Sequence, residues 1–303
     1  MRFIKFHGYG NDYLVFESAE LSAAGVLESS GGLGDFARRI CDRHFGAGAD
    51  GLALLSRSET GAADFSLRIF NADGGEAAMS GNGSRCAVSY LYFRRLWSRD
   101  ELRLQTASGV KLYRLRERLG AGRYRFEAEI GQPRFDSASI PFSAGEPLDF
   151  VRDYPLALPS GETVNVTALQ MCNPNCCVFV EDFESVDWRR LGALVEPHAR
   201  FPQHTNVAFV RVRDRGTIEV RMWERGVGET LSSGTGACAS AIAASLKGLT
   251  ERRVRVEMAG GRLEVFWRDD GEALLTGEAE VVYRGEWMRD APPRSTDALE
   301  QNS

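Results

Sequence analysis

The length, composition and charge of the chain indicate a globular protein and exclude several functional classes. At 303 residues, with 43% apolar and 26% charged residues, the chain is long enough for about two domains, each with its own core. The net charge of −5 argues against a nucleic-acid-binding surface, and no run of about 18 apolar residues predicts a membrane span. The N-terminus is too short and too polar for a signal peptide. We therefore expect a cytoplasmic protein with reduced cysteines and, since its four histidines are scattered, no metal site.

The first half of the chain reads mainly as strands. Residues 1–17 alternate like two strands joined by a Gly-rich turn, which is either a plain hairpin or a means of offering Asn11 to a ligand. The small residues at 20–34 predict a loop insertion, and a helix is expected from about 35 to 43. Further strands are predicted at 52–55, 64–71, 101–117 and 122–130, the second of which ends at Asn71.

The second half repeats this order after a Pro- and Gly-rich stretch at 131–162, where we place the domain crossover. Strands are predicted at 164–171, 177–180, 206–210, 217–223, 253–258, 262–267 and 272–284, with one helix at 187–196. We therefore predict an N-terminal domain of residues 1–129 plus 283–290 and a C-terminal domain of residues 130–282. The tail at 291–303 is poor in apolar residues, which predicts disorder.

Two short stretches repeat each other about half a chain apart. Residues 80–83 (Ser-Gly-Asn-Gly) and 233–236 (Ser-Gly-Thr-Gly) each precede a helical segment that is apolar on most sides. Glycines before a helix often serve only to turn the chain. Two matching copies favour a repeated architecture instead. Loop amides and the helix dipole then make an anion site at each helix N-terminus, and two facing ends would hold a small anion between them.

Motifs along nearly the whole chain resemble those of the diaminopimelate epimerases. They are residues 5–12 (KFHGYGND), 43–51 (RHFGAGADG), 71–74 (NADG), 81–86 (GNGSRC), 173–174 (NP), 224–231 (ERGVGETL) and 234–238 (GTGAC). The resemblance implies an α/β (α+β) fold of two pseudo-symmetric domains, each a β-sheet wrapped around a central helix, with the site between them. It also implies a homodimer, as family members commonly form.

The resemblance further implies a reaction that needs no cofactor, neither pyridoxal phosphate nor a metal. One thiolate removes the α-proton of a small amino-acid substrate, and a thiol on the opposite face supplies another. In the family this converts LL-diaminopimelate to meso-diaminopimelate, a precursor of lysine and the cell wall. The positions that match substrate-binding residues of the family are Asn11, Asn71, Gly81, Asn82, Asn173, Asn206, Glu224, Arg225, Gly234 and Thr235.

The catalytic positions depart from the family pattern. Ser80 and Ser233 stand where the family has its two reactive cysteines, and Asn175 stands where it has a histidine. A serine hydroxyl is barely ionised near neutral pH and needs a partner base, for which Glu224 is the candidate. Cys86 and Cys238 lie in the following helical turns and are expected to be buried structural residues. The spacing assigns no role to Cys172, Cys176 or Cys177.

Three explanations of the serines follow from the sequence. They could be engineered replacements, although Asn175 is a third change at the same site. The chain could be a natural homologue with weak or different isomerase chemistry on a related amino acid, with Ser80, Ser233 and Glu224 as the candidate catalytic residues. Alternatively, it could bind an amino acid without efficient epimerisation.

Overall fold

The computed structural model describes residues 1–27, 32–59 and 61–288. Within these ranges the helices are α1 (Ser18–Ser22), α2 (Gly32–Cys41), α3 (Gly81–Phe93), α4 (Trp188–Val195) and α5 (Gly234–Leu246). The strands of the first half are β1 (Arg2–Gly8), β2 (Asn11–Glu17), β3 (Gly51–Arg57), β4 (Phe65–Asn71), β5 (Glu76–Ala77), β6 (Glu101–Thr106), β7 (Gly109–Gly120) and β8 (Arg123–Gly131). Those of the second half are β9 (Val151–Ala157), β10 (Thr163–Met171), β11 (Asn173–Phe179), β12 (Asn206–Asp214), β13 (Thr217–Glu224), β14 (Gly228–Thr230), β15 (Arg253–Met258), β16 (Gly261–Trp267) and β17 (Ala273–Glu286).

The two halves have the same strand topology. In the first, β1 and β2 are antiparallel, β2 and β3 parallel, β3 and β4 antiparallel, and β4 and β6 parallel. In the second, β10, β11, β12, β13 and β15 follow the same sequence of pairings. Parallel neighbours need a crossover connection, and helices lie in each crossover. The predicted α+β fold of two pseudo-symmetric units, each built around a central helix, is therefore confirmed.

The long strand β17 connects the two halves. Its first residues, 273–276, pair with β16, whereas residues 280–286 pair with β1 of the first half. Strand β8 runs antiparallel to β17 along residues 273–280. The predicted domain boundaries, 1–129 plus 283–290 and 130–282, stay a prediction, and the predicted tail at 291–303 lies outside the described residues.

The central helices α3 and α5 form the middle of the largest apolar core. Val88 and Leu91 of α3 and Ile242 and Ala243 of α5 are at most 1% exposed and belong to one buried cluster. Two further clusters lie under α2 and α4, in the outer layers. Burial on nearly all sides holds each central helix rigidly, which fixes the position of its N-terminus.

The structure corrects three local predictions. Part of the predicted loop at 20–34 is helical, because α1 spans Ser18–Ser22 and buries Leu21 completely. The Pro-rich crossover contains β9, which among the described strands pairs in register with β10 alone, and such an edge strand tolerates Pro155. The Asn-Pro motif belongs to strand β11, which starts at Asn173.

Across the described ranges, no helix is long and apolar enough to cross a bilayer.

Candidate active site

The two central helices begin in nearly identical ways. Ser80 is the N-cap of α3 with φ −133° and ψ 124°, and Ser233 is the N-cap of α5 with φ −135° and ψ 123°. The Oγ atom of Ser80 accepts a hydrogen bond from the amide of Gly83 at 3.0 Å. The Oγ atom of Ser233 accepts one from the amide of Gly236 at 3.3 Å. The remaining amides of each first turn have no acceptor within the helix, so both ends can bind an anion.

The two helix N-termini face each other through glycines. A Cβ atom on Gly81 would lie 3.6 Å from the Cα atom of Gly234, and the converse distance is also 3.6 Å. The side-chain amide of Asn82 donates across the boundary to the carbonyl of Ser232 at 3.4 Å. Residues without a Cβ atom permit this approach, which places the Ser80 and Ser233 N-caps in one site.

The hydroxyl of Ser80 has a tyrosine as its neighbour. Tyr13, which is 4% exposed, donates a hydrogen bond from its hydroxyl to the Oγ atom of Ser80 at 2.9 Å. Burial raises the pKa of Tyr13 well above its usual value, so the phenol stays protonated. Ser80 itself is half-buried at the N-cap of α3, so part of the residue is open to solvent.

The hydroxyl of Ser233 has a carboxylate as its neighbour. This neighbour is Glu224, the last residue of β13, whose carboxyl group lies close enough to the hydroxyl of Ser233 for that hydroxyl to lower its pKa. Burial raises the pKa of Glu224 above its ordinary value, the nearby hydroxyl of Ser233 lowers it, and the negative charge of Asp50 raises it again. Desolvation dominates, so the carboxyl group is a stronger base than an exposed glutamate.

A cluster of charged residues fixes Asn11 at the start of β2. The side-chain amide of Asn11 donates to Asp50 at 2.8 Å, and its carbonyl accepts from Asn82 at 3.2 Å. Arg43 forms ion pairs with Asp50 at 2.7 Å and with Asp12 at 2.9 Å. Burial raises the pKa of Asp12, but hydrogen bonds from Arg43 and Lys5 outweigh it and leave that pKa lowered.

The second half fixes its asparagines with amides and backbone groups. The Asn206 side chain accepts a hydrogen bond from the amide of Arg225 at 2.9 Å, so it holds the start of the loop after Glu224. Asn175, fully buried, donates to the carbonyl and to the side-chain oxygen of Asn173 at 2.8 and 3.0 Å. Asn175 and Asn206 lie side by side on parallel strands.

The remaining predicted site residues lie around this centre. Asn71 is exposed at the end of β4, opposite Gly51 in the register of β3. Thr235 is half-buried in the first turn of α5, and the side chain of Arg225 donates to the carbonyl of Gln203 at 3.0 Å. The site residues that the sequence predicted thus occupy strand ends and helix starts around the two serines. Their roles stay predictions.

Sequence analysis missed three residues of this region: Tyr13, Asp50 and Arg85. Arg85 is completely buried, donates to the side-chain oxygen of Asn82, and has its guanidinium 5.7 Å from the centre of the Tyr9 ring. One signal for Tyr13 was present in the sequence. Tyr13 follows Asn11 by two positions, as Asn175 follows Asn173, so the internal repeat placed a polar residue at the same point of each strand.

The thiols of the cysteines are poorly suited to take up a proton. Cys86 and Cys238 are completely buried inside α3 and α5, as predicted, and burial raises the pKa of Cys86 to about 12. Cys176 and Cys177 are also fully buried. Cys172 is exposed, and its pKa is raised by desolvation. A raised pKa keeps these thiols protonated, so none of them offers a ready thiolate.

Comparison with known sequences gives a consistent family. The family model described as diaminopimelate epimerase matches residues 3–128 and 167–282, which include both N-caps. A diaminopimelate epimerase of Pelotomaculum thermopropionicum is 40% identical over 294 residues, covering 95% of this chain and 99% of that protein. The diaminopimelate epimerase of Caldanaerobacter subterraneus is 42% identical over 286 residues, covering 94% and 99%.

Comparison with solved structures gives the same fold. A probable proline racemase from Agrobacterium radiobacter superimposes with a TM-score of 0.68 at 16% identity, covering 95% of this chain and 92% of that one. A hydroxyproline epimerase from Agrobacterium vitis, with trans-4-hydroxy-L-proline bound, has a TM-score of 0.65 at 16% identity and covers 94% and 91%. At this identity the likeness concerns the fold alone.

Proposed function

The chain belongs to the diaminopimelate epimerase family, and on that premise we propose that it inverts the α-carbon of diaminopimelate through two serines. The reaction is a pyridoxal-phosphate-independent epimerisation between LL- and meso-diaminopimelate, a step that supplies lysine and cell-wall precursors. The observation that carries the proposal is the pair of matching N-caps, Ser80 and Ser233, on helix ends that meet at Gly81 and Gly234. In the proposed reaction, one hydroxyl acts on each side of the bound α-carbon.

The helix ends would hold the α-carboxylate of the substrate. The backbone amides of Gly81, Asn82, Gly234 and Thr235 are at the first two positions of the two helices, where amides lack intrahelical acceptors. Two positive dipole ends stabilise a carboxylate, and they stabilise it more when it takes on carbanion charge during proton removal. This difference between ground state and transition state is what accelerates the reaction.

The asparagines and the charged pair would orient the rest of the substrate. Diaminopimelate has a second amino-acid end, whose ammonium and carboxylate groups need both acceptors and donors. The amide side chains of Asn11, Asn71, Asn173 and Asn206 provide both. Glu224 adds a negative charge for an ammonium group, and Arg225 adds a positive one for a carboxylate.

Proton removal would run through Ser233 and Glu224. As the C–H bond of the α-carbon breaks, the proton moves to the Oγ atom of Ser233, and the hydroxyl proton of Ser233 moves to the Glu224 carboxylate. The electron pair stays on the α-carbon and its carboxylate. Ser80 then gives its hydroxyl proton to the opposite face, which completes the inversion and leaves Ser80 as an alkoxide. Solvent then protonates Ser80 and takes the proton from Glu224, which restores both groups. The desolvated carboxylate of Glu224 supports the first step, because its raised pKa makes it the stronger base.

The test of the proposal is the conversion of LL-diaminopimelate to the meso form, which chiral chromatography measures. We expect conversion by the unmodified chain, and a loss of about a hundredfold or more in each of Ser80→Ala and Ser233→Ala. Ser89→Ala, in the buried interior of α3, is the matched control and should keep full activity. L-lysine, which lacks the distal carboxylate, should react far more slowly.

Two results would contradict the proposal. Absence of conversion with tight binding of meso-diaminopimelate by calorimetry would indicate a binding protein that retained the pocket. Equal rates in the wild-type chain and both alanine variants would show that the serines take no part in the reaction.

A cytoplasmic location and a homodimer complete the proposal. Sedimentation of the purified chain tests the homodimer.

A further inference from the structure

Tyr13 sits in a slot that two glycines leave open for its ring. A Cβ atom on Gly51 would lie 2.7 Å from the Cε1 atom of Tyr13, and one on Gly83 would lie 2.9 Å from the same atom. Any side chain at either position would therefore displace the ring. Gly51 adjoins Tyr13 on the parallel strand β3, and Gly83 lies in the first turn of α3. This slot aims the hydroxyl of Tyr13 at Ser80.

The hydrogen bonds around Ser80 determine where its own proton points. The Oγ atom of a serine accepts two hydrogen bonds and donates one. For Ser80, Tyr13 at 2.9 Å and the amide of Gly83 at 3.0 Å occupy both acceptor directions. The proton of Ser80 is then left to point away from both donors.

Ser233 has the opposite arrangement. The residue of β11 that corresponds to Tyr13 is Asn175, since each is the third residue of its strand and each faces the parallel neighbour. Asn175 donates to Asn173 instead of to the serine of its own half. The group near Ser233 is instead the carboxylate of Glu224, which can only accept a hydrogen bond. One serine is thus surrounded by donors and the other has an acceptor.

We infer that Tyr13 is a positioning residue that sets Ser80 as the proton-donating member of the pair, opposite a proton-accepting Ser233. The inference rests on the proposed function and adds a direction to it. When Ser80 gives its proton to the carbanion, the negative charge moves from the α-carbon to the Oγ atom of Ser80. The hydroxyl of Tyr13 and the amide of Gly83 stabilise that alkoxide by hydrogen bonding, as donors in an oxyanion hole do. Solvent returns the proton to Ser80 between turnovers.

The kinetic test uses Tyr13→Phe, which removes only the hydroxyl and keeps the ring in its slot. We expect kcat for LL-diaminopimelate to fall about tenfold or more, in line with the loss of one donor to a developing anion, with KM nearly unchanged. In a Ser80→Ala background the same change should have no further effect, because Tyr13 acts through Ser80. In a Ser233→Ala background the full loss should remain.

A second readout needs no substrate. Ser80→Cys introduces a thiol at the same position, and its ionisation is followed by ultraviolet absorbance against pH, with the unmodified chain as the blank. Adding Tyr13→Phe should raise the pKa of the new thiol by about one unit, since a donor to the thiolate is lost. The thiol introduced by Ser233→Cys should titrate alike with and without Tyr13→Phe.

The two readouts separate the inference from the proposed function. An active wild-type chain with an unchanged kcat in Tyr13→Phe would overturn the inference and leave the proposed function intact. An inactive wild-type chain would overturn the proposed function, and the thiol titration would still decide whether Tyr13 donates to position 80. An unchanged thiol pKa would overturn the inference in either case.

Discussion

The two halves of the site share a backbone and differ in the partners of their serines. Helices α3 and α5 both have 13 residues, and the φ and ψ angles of their N-caps agree within 2°. Ser80, however, accepts a hydrogen bond from the hydroxyl of Tyr13, whereas Ser233 has the carboxylate of Glu224 as its neighbour. Repetition of the backbone gives two matching helix N-termini. On the proposed function, the different partners of the two serines make one side the acid and the other side the base.

The electrostatics of the two partners point in the same direction. Burial raises the pKa of both Tyr13 and Glu224. For a phenol this favours the form that donates a hydrogen bond. For a carboxylate it strengthens the base that takes a proton. Desolvation therefore favours hydrogen-bond donation by the phenol of Tyr13 and proton uptake by the carboxylate of Glu224.

The largest change should come from replacing the hydroxyls of both sides with thiols while their different partners stay in place. Replacing both serines with cysteines, Ser80→Cys with Ser233→Cys, supplies two groups whose pKa lies near working pH. We expect LL-to-meso conversion to rise about a hundredfold or more. Chiral chromatography measures it, with Ser89→Cys as the control for an added thiol. A double variant no faster than the wild type would mean that the weak acidity of the serine hydroxyls does not limit the wild-type reaction.

The next largest effect should come from removing the base side alone. Glu224→Gln keeps the shape of the side chain and removes its charge, so kcat should fall about a hundredfold. The wild-type rate should rise with pH through the raised pKa of Glu224, which places this limb above the ordinary value of about 4.3. The pH–rate profile of Glu224→Gln should lack that limb. A limb that persists there belongs to another group.

A smaller effect, on the free energy of unfolding, should distinguish Gly83 from Gly236, the glycines three residues after the two serines. A methyl group on Gly83 would lie 2.9 and 3.0 Å from two ring atoms of Tyr13, whereas one on Gly236 would meet the flexible end of Met222 at 2.5 Å. We expect Gly83→Ala to lower the free energy of unfolding by about 1–3 kcal/mol and Gly236→Ala to lower it less, because methionine adapts. Urea denaturation measures both. Equal losses would argue that the ring of Tyr13 is not held rigidly.

Sequence analysis predicted the parts of the fold that are repeated. The motifs at 80–83 and 233–236 identified both central helices and the meeting of their N-termini, because glycine spacing and apolar periodicity are local signals. It also predicted that Cys86 and Cys238 are buried. Strand β9 was missed, since Pro155 reads as a strand breaker when edge position is unknown.

The parts of the site that depend on contacts between distant residues were out of reach. Tyr13 and Ser80 are 67 positions apart, and Asn82 and Ser232 are 150 positions apart. No periodicity within a window of sequence links such pairs. Glu224 was predicted because it stands in a motif, yet its partner Ser233 and its desolvation emerged only from the packing of β13 against α5.

The most direct test of a two-serine proton transfer is proton NMR of LL-diaminopimelate with the chain in D2O. The account predicts that the α-proton signal disappears with the unmodified chain, and that Ser233→Ala and Glu224→Gln slow this loss together. Loss of the signal at equal rates in all three proteins would contradict the account. So would a signal that stays at the rate of the protein-free solution.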